Sequence, residues 1–516
     1  MVSSSLVRLA QLLLMLLVGA CAATLPIVQR TPTHALTDTG DTLLGQVLAP
    51  QVAAHPGISG FLVLDEPHDA FAVRVLLAGT AERTLDLQYF IWHADAVGTL
   101  MWKALWQAAE RGVRVRLLID DANTYGLDAE LAALDAHPHI EVRLYNPFGY
   151  RGSRALGYAS DFGRLNRRMH NKSFTADNQV SVVGGRNIAD EYFGAAGELG
   201  FADLDVLAVG PVVVEVSHEF DLYWNSVSAY PAAPFVGPGN ADVQAALKAR
   251  FAAVAAEPGA GRYAEAVRAS PFMRQLLAGR LDFEWSSAQV LFDDPDKTLN
   301  SAGRDKLLLP VLMQRMGSPQ RSLDIVSPYF VPGAEGTATL VQLAQQGVRV
   351  RVLTNSLASS DERIVHAGYM KRRHDLLRGG VELYEMRPGG AEGSLQVRGR
   401  VGLAKVAGLH AKTFAVDGQR VFVGSFNFDL RSAQLNTEMG LVIDSPAFAR
   451  ELAWVFDEGP YQGFYEVQLA PDGQNLQWIE RRGAGTPVIH AVDPETTAWQ
   501  RVKVGFLAGL PIDWLL

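Results

Sequence analysis

His170-Asn171-Lys172-Ser173-Phe174-Thr175-Ala176-Asp177 returns 240 residues later as His410-Ala411-Lys412-Thr413-Phe414-Ala415-Val416-Asp417. Each copy reads H-x-K-x4-D, and each is followed at the same distance by a glycine-led motif, Gly184-Gly185-Arg186-Asn187 and Gly424-Ser425-Phe426-Asn427. One such octapeptide arises by accident. A duplicate that also repeats its downstream motif marks a repeated structural unit. The flanking segments repeat in the same order: Leu85 to Trp92 reads as a buried strand, Thr99 to Arg111 as a helix stopped by Gly112, and Val113 to Ile119 as the next strand. Leu323 to Phe330, a helix around Ala338 to Gln346, Gly347 and Val348 to Leu353 replay it. Strand, helix, strand implies parallel βαβ units. The expected fold class is therefore α/β: two pseudo-symmetric αβα halves, each with helices covering a mostly parallel sheet, packed face to face around one active site.

Side chains alternate faces along a strand, so His and Lys two positions apart on a strand point the same way. An imidazole beside an ammonium suits a phosphate diester, where one group attacks or protonates and the other holds anionic oxygens. Asp177-Asn178 and Asp417-Gly418 are turn formers leading into returning strands. The candidate catalytic set is His170, Lys172, Asp177, His410, Lys412 and Asp417, with the two aspartates bracing hairpin and lysine rather than touching substrate. The glycines allow close backbone approach to an anion, and Asn187 and Asn427 are placed to bind substrate through their side-chain amides. A duplicated motif is chemically useful only if both copies meet, one imidazole neutral and the other charged. A carboxylate should orient each imidazole. Aligning Gly210-Pro211 with Ser445-Pro446 sets Asp203 opposite Glu438 as candidates, with Asp205 competing with Asp203 on the same strand face. Two lysines and two asparagines suffice to stabilise a pentacoordinate phosphorus, so neither metal nor cofactor is required.

With its two H-x-K-x4-D motifs the chain resembles the phospholipase D superfamily. The words Gln88 to Trp92, Leu165 to Lys172, Gly184 to Phe193, Ser327 to Pro332, Val365-His366-Ala367-Gly368-Tyr369 and Leu435 to Met439 look like those of bacterial cardiolipin synthases of that type, over roughly residues 56 to 470. The resemblance implies that a phosphatidyl group moves to His170 as a phosphohistidine. His410 then protonates the leaving alcohol and deprotonates the acceptor, although sequence symmetry allows the reverse. It also implies membrane phospholipids as partners: phosphatidylglycerol, with phosphatidylglycerol or phosphatidylethanolamine as the second phospholipid. Water competes as acceptor, which leaves phospholipid or nucleic-acid hydrolysis as the alternative. By the same resemblance His366 is a candidate substrate contact, with a satisfied structural histidine as the alternative. Arg164, Arg167 and Arg168 read either as lipid-phosphate ligands or as a solvated cluster.

The 516 residues, 48% hydrophobic and 20% charged, fit a globular protein of two fused halves. A net charge of −9 weighs against nonspecific nucleic-acid binding. Arg8 precedes an apolar run from Leu9 to Gly19 that is shorter than the roughly 18 residues of a spanning helix and reads as an export signal. Val18-Gly19-Ala20-Cys21 resembles a lipobox that would lipidate the single cysteine and tether the protein to a membrane of a bacterial cell envelope, facing the periplasm or exterior. An outer-membrane address is compatible. A plain signal cut after Ala22 fits the same residues. The expected division is a signal over 1–21, a tether or arm over 22–55, a first half over 56–230, a helical insert over 231–300, a second half over 301–470 and an extension over 471–516, whose Trp514-Leu515-Leu516 suits a membrane interface or a packed terminus.

Overall fold

Each H-x-K-x4-D copy runs into a hairpin whose turn demands its last residue. Asp177 and Asn178 have φ of 50° and 51°, and Asp417 and Gly418 56° and 66°. Two successive positive φ values match the twist of the flanking strands and favour Asp, Asn and Gly. The Gln179 N–H closes the first turn onto the Ala176 carbonyl and the Gln419 N–H the second onto Val416, both at 3.0 Å. In this computed structural model the described residues are 25–195, 199–277, 281–389, 405–458, 463–481 and 485–510. The signal segment 1–21 with Cys21, and Trp514-Leu515-Leu516, lie outside them.

Two mixed sheets contain the same seven-strand core. In the first the order is Ser59–Leu64, Asp205–Val209, Val180–Gly184, Ser173–Ala176, Thr84–Tyr89, Arg114–Asp120 and Ile140–Tyr145. In the second it is Ala288–Phe292, Met439–Ile443, Arg420–Gly424, Thr413–Val416, Ser322–Val326, Arg349–Asn355 and Glu382–Met386. The sheets are not mostly parallel as expected. Only the last three strands of each core run parallel, and the hairpin strands and those beyond are antiparallel. The reason is connection length: helical crossovers return a strand in parallel, whereas the short turns after Asp177 and Asp417 reverse it. A buried cross-strand ion pair repeats at equivalent register, Arg116 to Asp86 at 2.6 Å and Arg351 to Asp324 at 2.5 Å.

Helices cover the outer faces, with Phe71, Trp102 and Leu105 in the core of one half and Leu312, Leu340 and Leu376 in that of the other. Val183, Val206 and Ala208 of the first sheet share a core with Val423, Leu441 and Ile443 of the second, which closes the halves face to face. Helices Pro211–Trp224 and Pro446–Glu458 both begin at proline, whose fixed φ suits the first helical position. The segment between the halves is helical over Ala241–Ala256, Pro258–Arg268 and Pro271–Leu277, and these helices lie on the first half's outer layer. From Glu284 it is strand instead: Glu284–Ser286 edges the first sheet and Ala288–Phe292 enters the second, so the chain crosses between halves at Ser287. Residues 30–35 lie along the first half, where Thr31 and Thr33 carbonyls accept from Arg143 and Arg116.

Candidate active site

The His-x-Lys segments are extended but stand just before their hairpin strands, which start at Ser173 and Thr413; this corrects the expectation that they lie on them. Their backbone partners are in the opposite half. His170 N–H donates to the Thr437 carbonyl at 2.9 Å and Thr437 N–H to Arg168, while His410 N–H donates to the Ala202 carbonyl at 2.7 Å. Leaving the home sheet brings each imidazole to a carboxylate of the other half. His170 Nδ1 lies 2.8 Å from Glu438 Oε2, and His410 Nδ1 lies 2.6 Å from Asp203 Oδ2. Both carboxylates proposed from the alignment therefore touch an imidazole, but crosswise. Asp205 does not: it pairs with Arg74 at 2.8 Å and with Arg186 at 3.4 Å.

With Nδ1 held by a carboxylate, Nε2 of His170 has no partner among the described residues, and Nε2 of His410 has only Lys412. Lys172 Nζ and Lys412 Nζ donate to the carbonyls of His170 and His410, each at 2.5 Å, and Lys412 Nζ is 3.3 Å from His410 Nε2. All four side chains are nearly inaccessible. Phe90 meets the His170 ring edge-on at 5.0 Å, and Tyr192 does the same to His410. Tyr89, Trp92 and Phe330, in the neighbouring aromatic stretches, are buried core residues.

Four cation-forming groups share this dry space, and their acidities record it. Burial, then Lys172, Lys412 and His410, holds His170 well below the usual imidazole value. Burial and Lys412 lower His410 while Asp203 opposes them. Burial brings Lys172 down to about 7 and Lys412 to about 8. The two orienting carboxyls differ. Burial raises Glu438 to about 7 despite Lys172 and the Ser425 and Ser432 hydroxyls. Burial also pushes Asp203 upward, but His410, Lys412 and Arg186 outweigh it and hold the carboxyl well below its ordinary range. Asp203 is thus the firmer anion, and of the two imidazoles His410 has the stronger partner for a proton.

Asp177 and Asp417 do not join this cluster: they hold their hairpins, and what the structure corrects is the expected bracing of the lysines. The Asp177 carboxylate accepts the N–H groups of Glu82, Arg83 and Thr84, and Asp417 those of Gln320, Arg321 and Ser322. Each ties its hairpin turn to the start of the neighbouring central strand; neither braces a lysine. Asn187 accepts from Ile91 N–H and donates to the Tyr192 hydroxyl, so it supports the wall behind His410, while Asn427 Oδ1 is buried without a partner among the described residues. Gly184 and Gly185 make room for acids, since a Cβ at Gly184 would strike Asp205 and one at Gly185 would strike Asp203, whereas a Cβ at Gly424 would strike the Met439 carbonyl. At the equivalent of Gly185, Ser425 donates its hydroxyl to Glu438 at 2.5 Å.

The three arginines before His170 are structural. Arg168 is buried against Asp120 at 2.6 Å, Arg164 bonds Asp161 and Asn146, and Arg167 bonds the Lys297 and Gln434 carbonyls and Asn300. His366 is buried against Arg373, 2.5 Å away. Sequence reading missed Asn171, Gln88 and Glu219. Asn171, between the catalytic pair, donates to Glu219 at 2.7 Å and accepts from Thr437 at 3.2 Å, and Gln88 donates to Glu219 at 2.5 Å. Ala411 against Asn171, and Val326 against Gln88, were the visible asymmetry between the repeats. Among the described residues one group has metal-ligand spacing, His93, Asp95 and Glu191. Both Asp95 oxygens already accept backbone N–H groups, from Gly98 and Asp190, and it caps the helix Ala96–Glu110.

A family model described as "Cardiolipin synthase, PLD-like domain" matches residues 77–224 and again 312–459. Cardiolipin synthase C of Escherichia coli (strain K12) is 47% identical over 476 residues, 92% of this chain and 99% of that protein. A cardiolipin synthase of Geobacillus kaustophilus (strain HTA426) is 27% identical over 403 residues, 76% of this chain and 64% of its own length. Among solved structures, a phosphatidylserine synthase of Haemophilus influenzae Rd KW20 superposes with a TM-score of 0.53 at 16% identity, covering 82% of this chain and 91% of that one, a likeness of fold.

Proposed function

Because the chain belongs to the phospholipase D-like cardiolipin synthase family, we propose that it is a phosphatidyltransferase that makes cardiolipin from phosphatidylglycerol and a second phospholipid, phosphatidylglycerol or phosphatidylethanolamine. The observation that carries this reading is the crosswise pairing of His170 with Glu438 and His410 with Asp203 in one buried pocket. His170 Nε2 attacks phosphorus, the P–O bond to the departing alcohol breaks, and His410 supplies the proton that alcohol takes. A phosphatidylglycerol hydroxyl then gives its proton back to His410 and displaces His170, forming the new P–O bond. The ammonium groups of Lys172 and Lys412 hold the equatorial oxygens, and the binding of a phosphate anion restores the protons that burial loosens. Low accessibility around both imidazoles protects the intermediate from water.

No helix among the described residues is long and apolar enough to cross a membrane. We assign membrane attachment to a lipid on Cys21 after export, which puts the enzyme on an envelope membrane facing the periplasm or exterior.

Incubating purified protein with phosphatidylglycerol, alone and with phosphatidylethanolamine, should yield cardiolipin. Phosphatidic acid as the sole product would replace transfer with hydrolysis. Acid-quenched enzyme should carry labelled phosphatidyl on the peptide containing His170; label on the His410 peptide would reverse the two roles.

A further inference from the structure

The helix Ala498–Ala508 is apolar on two sides. On its packing side Val504 is buried with Leu357 and Ala367, and Met370, Leu507 and Ala508 close around it. On the other, Trp499, Val502 and Phe506 are 65%, 60% and 70% exposed. At about 100° per residue these three fall within a stripe roughly 60° wide. This is not a fraying end. A capping box of Thr497 and Gln500 fixes its start, and Lys371 Nζ holds the Leu510 carbonyl just past its end at 2.8 Å.

Three observations say what covers the stripe. First, Arg501 and Lys503 are the charged residues of 498–510, with no acidic residue among them, and the Lys503 ammonium lies 5.1 Å from the Trp499 ring. Aromatic, aliphatic and basic side chains together suit the boundary between headgroups and acyl chains of an anionic bilayer. Second, the stripe offers roughly 400 Å², about half of what each partner gives to a standard protein interface, so a second copy is the poorer occupant. Third, the helix packs on Arg363–Met370, whose Tyr369 ring is 5.9 Å from that of Phe330. Just before that helix, Asp361 accepts from the Tyr329 hydroxyl at 2.8 Å, and its charge acts on Lys412. The helix that carries the stripe is therefore linked through Arg363–Met370 to the rim of the catalytic pocket, where the charge of exposed Asp361 reaches Lys412.

We propose that Trp499, Val502 and Phe506 form an interfacial anchor that seats this rim on an anionic phospholipid surface. Its purpose rests on the phosphatidyltransferase reading, but its test does not. Full-length protein carrying Cys21→Ser, so that no lipid on that residue contributes, is titrated with sedimenting vesicles of equal parts phosphatidylglycerol and phosphatidylcholine. Combined Trp499→Ser, Val502→Ser and Phe506→Ser should raise the lipid concentration for half-binding at least about tenfold. In the same background Val502→Cys leaves one cysteine for an environment-sensitive dye, whose emission should shift to the blue on these vesicles. Unchanged binding by the triple variant, or an unshifted dye on bound protein, overturns the anchor. So does a vesicle-free blue shift accompanied by a dimer that the triple variant abolishes in sedimentation velocity. Should the wild type make no cardiolipin from short-chain soluble or vesicle substrate, the function fails while the binding data still decide the anchor.

Discussion

Glu438 and Asp203 hold equivalent places behind His170 and His410 but differ in charge, and pH dependence follows from that difference. The His170–Glu438 pair takes up a proton as pH falls through about 7, the value of the buried Glu438 carboxyl, and the nucleophile is lost. On the alkaline side Lys172 and Lys412, at about 7 and about 8, lose the protons that hold the phosphate. The expected kcat/KM profile on a soluble short-chain substrate is a narrow bell centred close to 7, with its alkaline limb set first by Lys172. An alkaline limb near the ordinary lysine value of about 10.4 would contradict the depressed lysines. Asp177 gives the opposite expectation. Its carboxylate serves three backbone N–H groups and no catalytic atom, so Asp177→Ala should cost about 1–3 kcal/mol of stability while the folded fraction keeps its kcat. Thermal denaturation beside active-site titration checks this. Unchanged melting with a roughly 10³-fold loss of kcat would return Asp177 to the chemistry.

At the scale of elements, the helix Pro211–Trp224 reaches the catalytic segment through one side chain. Glu219 is fully buried with no cationic partner, and burial raises it to about 8, so it is mostly protonated at neutral pH. Through Asn171 and Thr437 it links the first half's helix to the segment that carries Glu438 in the second. Glu219→Gln, neutral and isosteric, should keep most activity. Glu219→Leu leaves the Asn171 amide unpaired and should lower kcat by roughly 10- to 100-fold with KM little changed. Equal activity in both variants, at equal melting temperature, would remove the positioning role. The hairpins were legible at this scale because Asp-Asn and Asp-Gly state their turn locally. The mixed character of the sheets was less so, since strand direction depends on which connections cross over, and the repeats advertised only their βαβ portion.

At the scale of the whole molecule, each half lacks the carboxylate its own histidine needs. A substitution in one half should therefore slow a step performed in the other. Glu438→Gln should slow phosphohistidine formation at His170. Asp203→Asn should slow departure of a poor leaving group at His410 by roughly 10²–10⁴-fold, yet spare a phosphatidyl ester of p-nitrophenol, which leaves without a proton. Rapid-quench measurement of both substrates separates the two, and equal losses for Asp203→Asn on both would refute the acid role of His410. The duplicated H-x-K-x4-D stretch determined by itself the two-half architecture, the candidate imidazoles and the lysines beside them, because residue type and spacing are local properties of the chain. Asp203 and Glu438 were within reach of sequence alignment, whereas Glu219 gave no signal of its own. Only the tertiary structure decided that the carboxylates pair crosswise, that Asp177 and Asp417 leave their lysines unbraced, and that Arg168 and His366 are buried beside ion-paired groups. The crosswise pairing depends on which atoms meet when two sheets close on each other, joining residues more than 200 positions apart that no local pattern relates, and the other contacts depend on packing within one half.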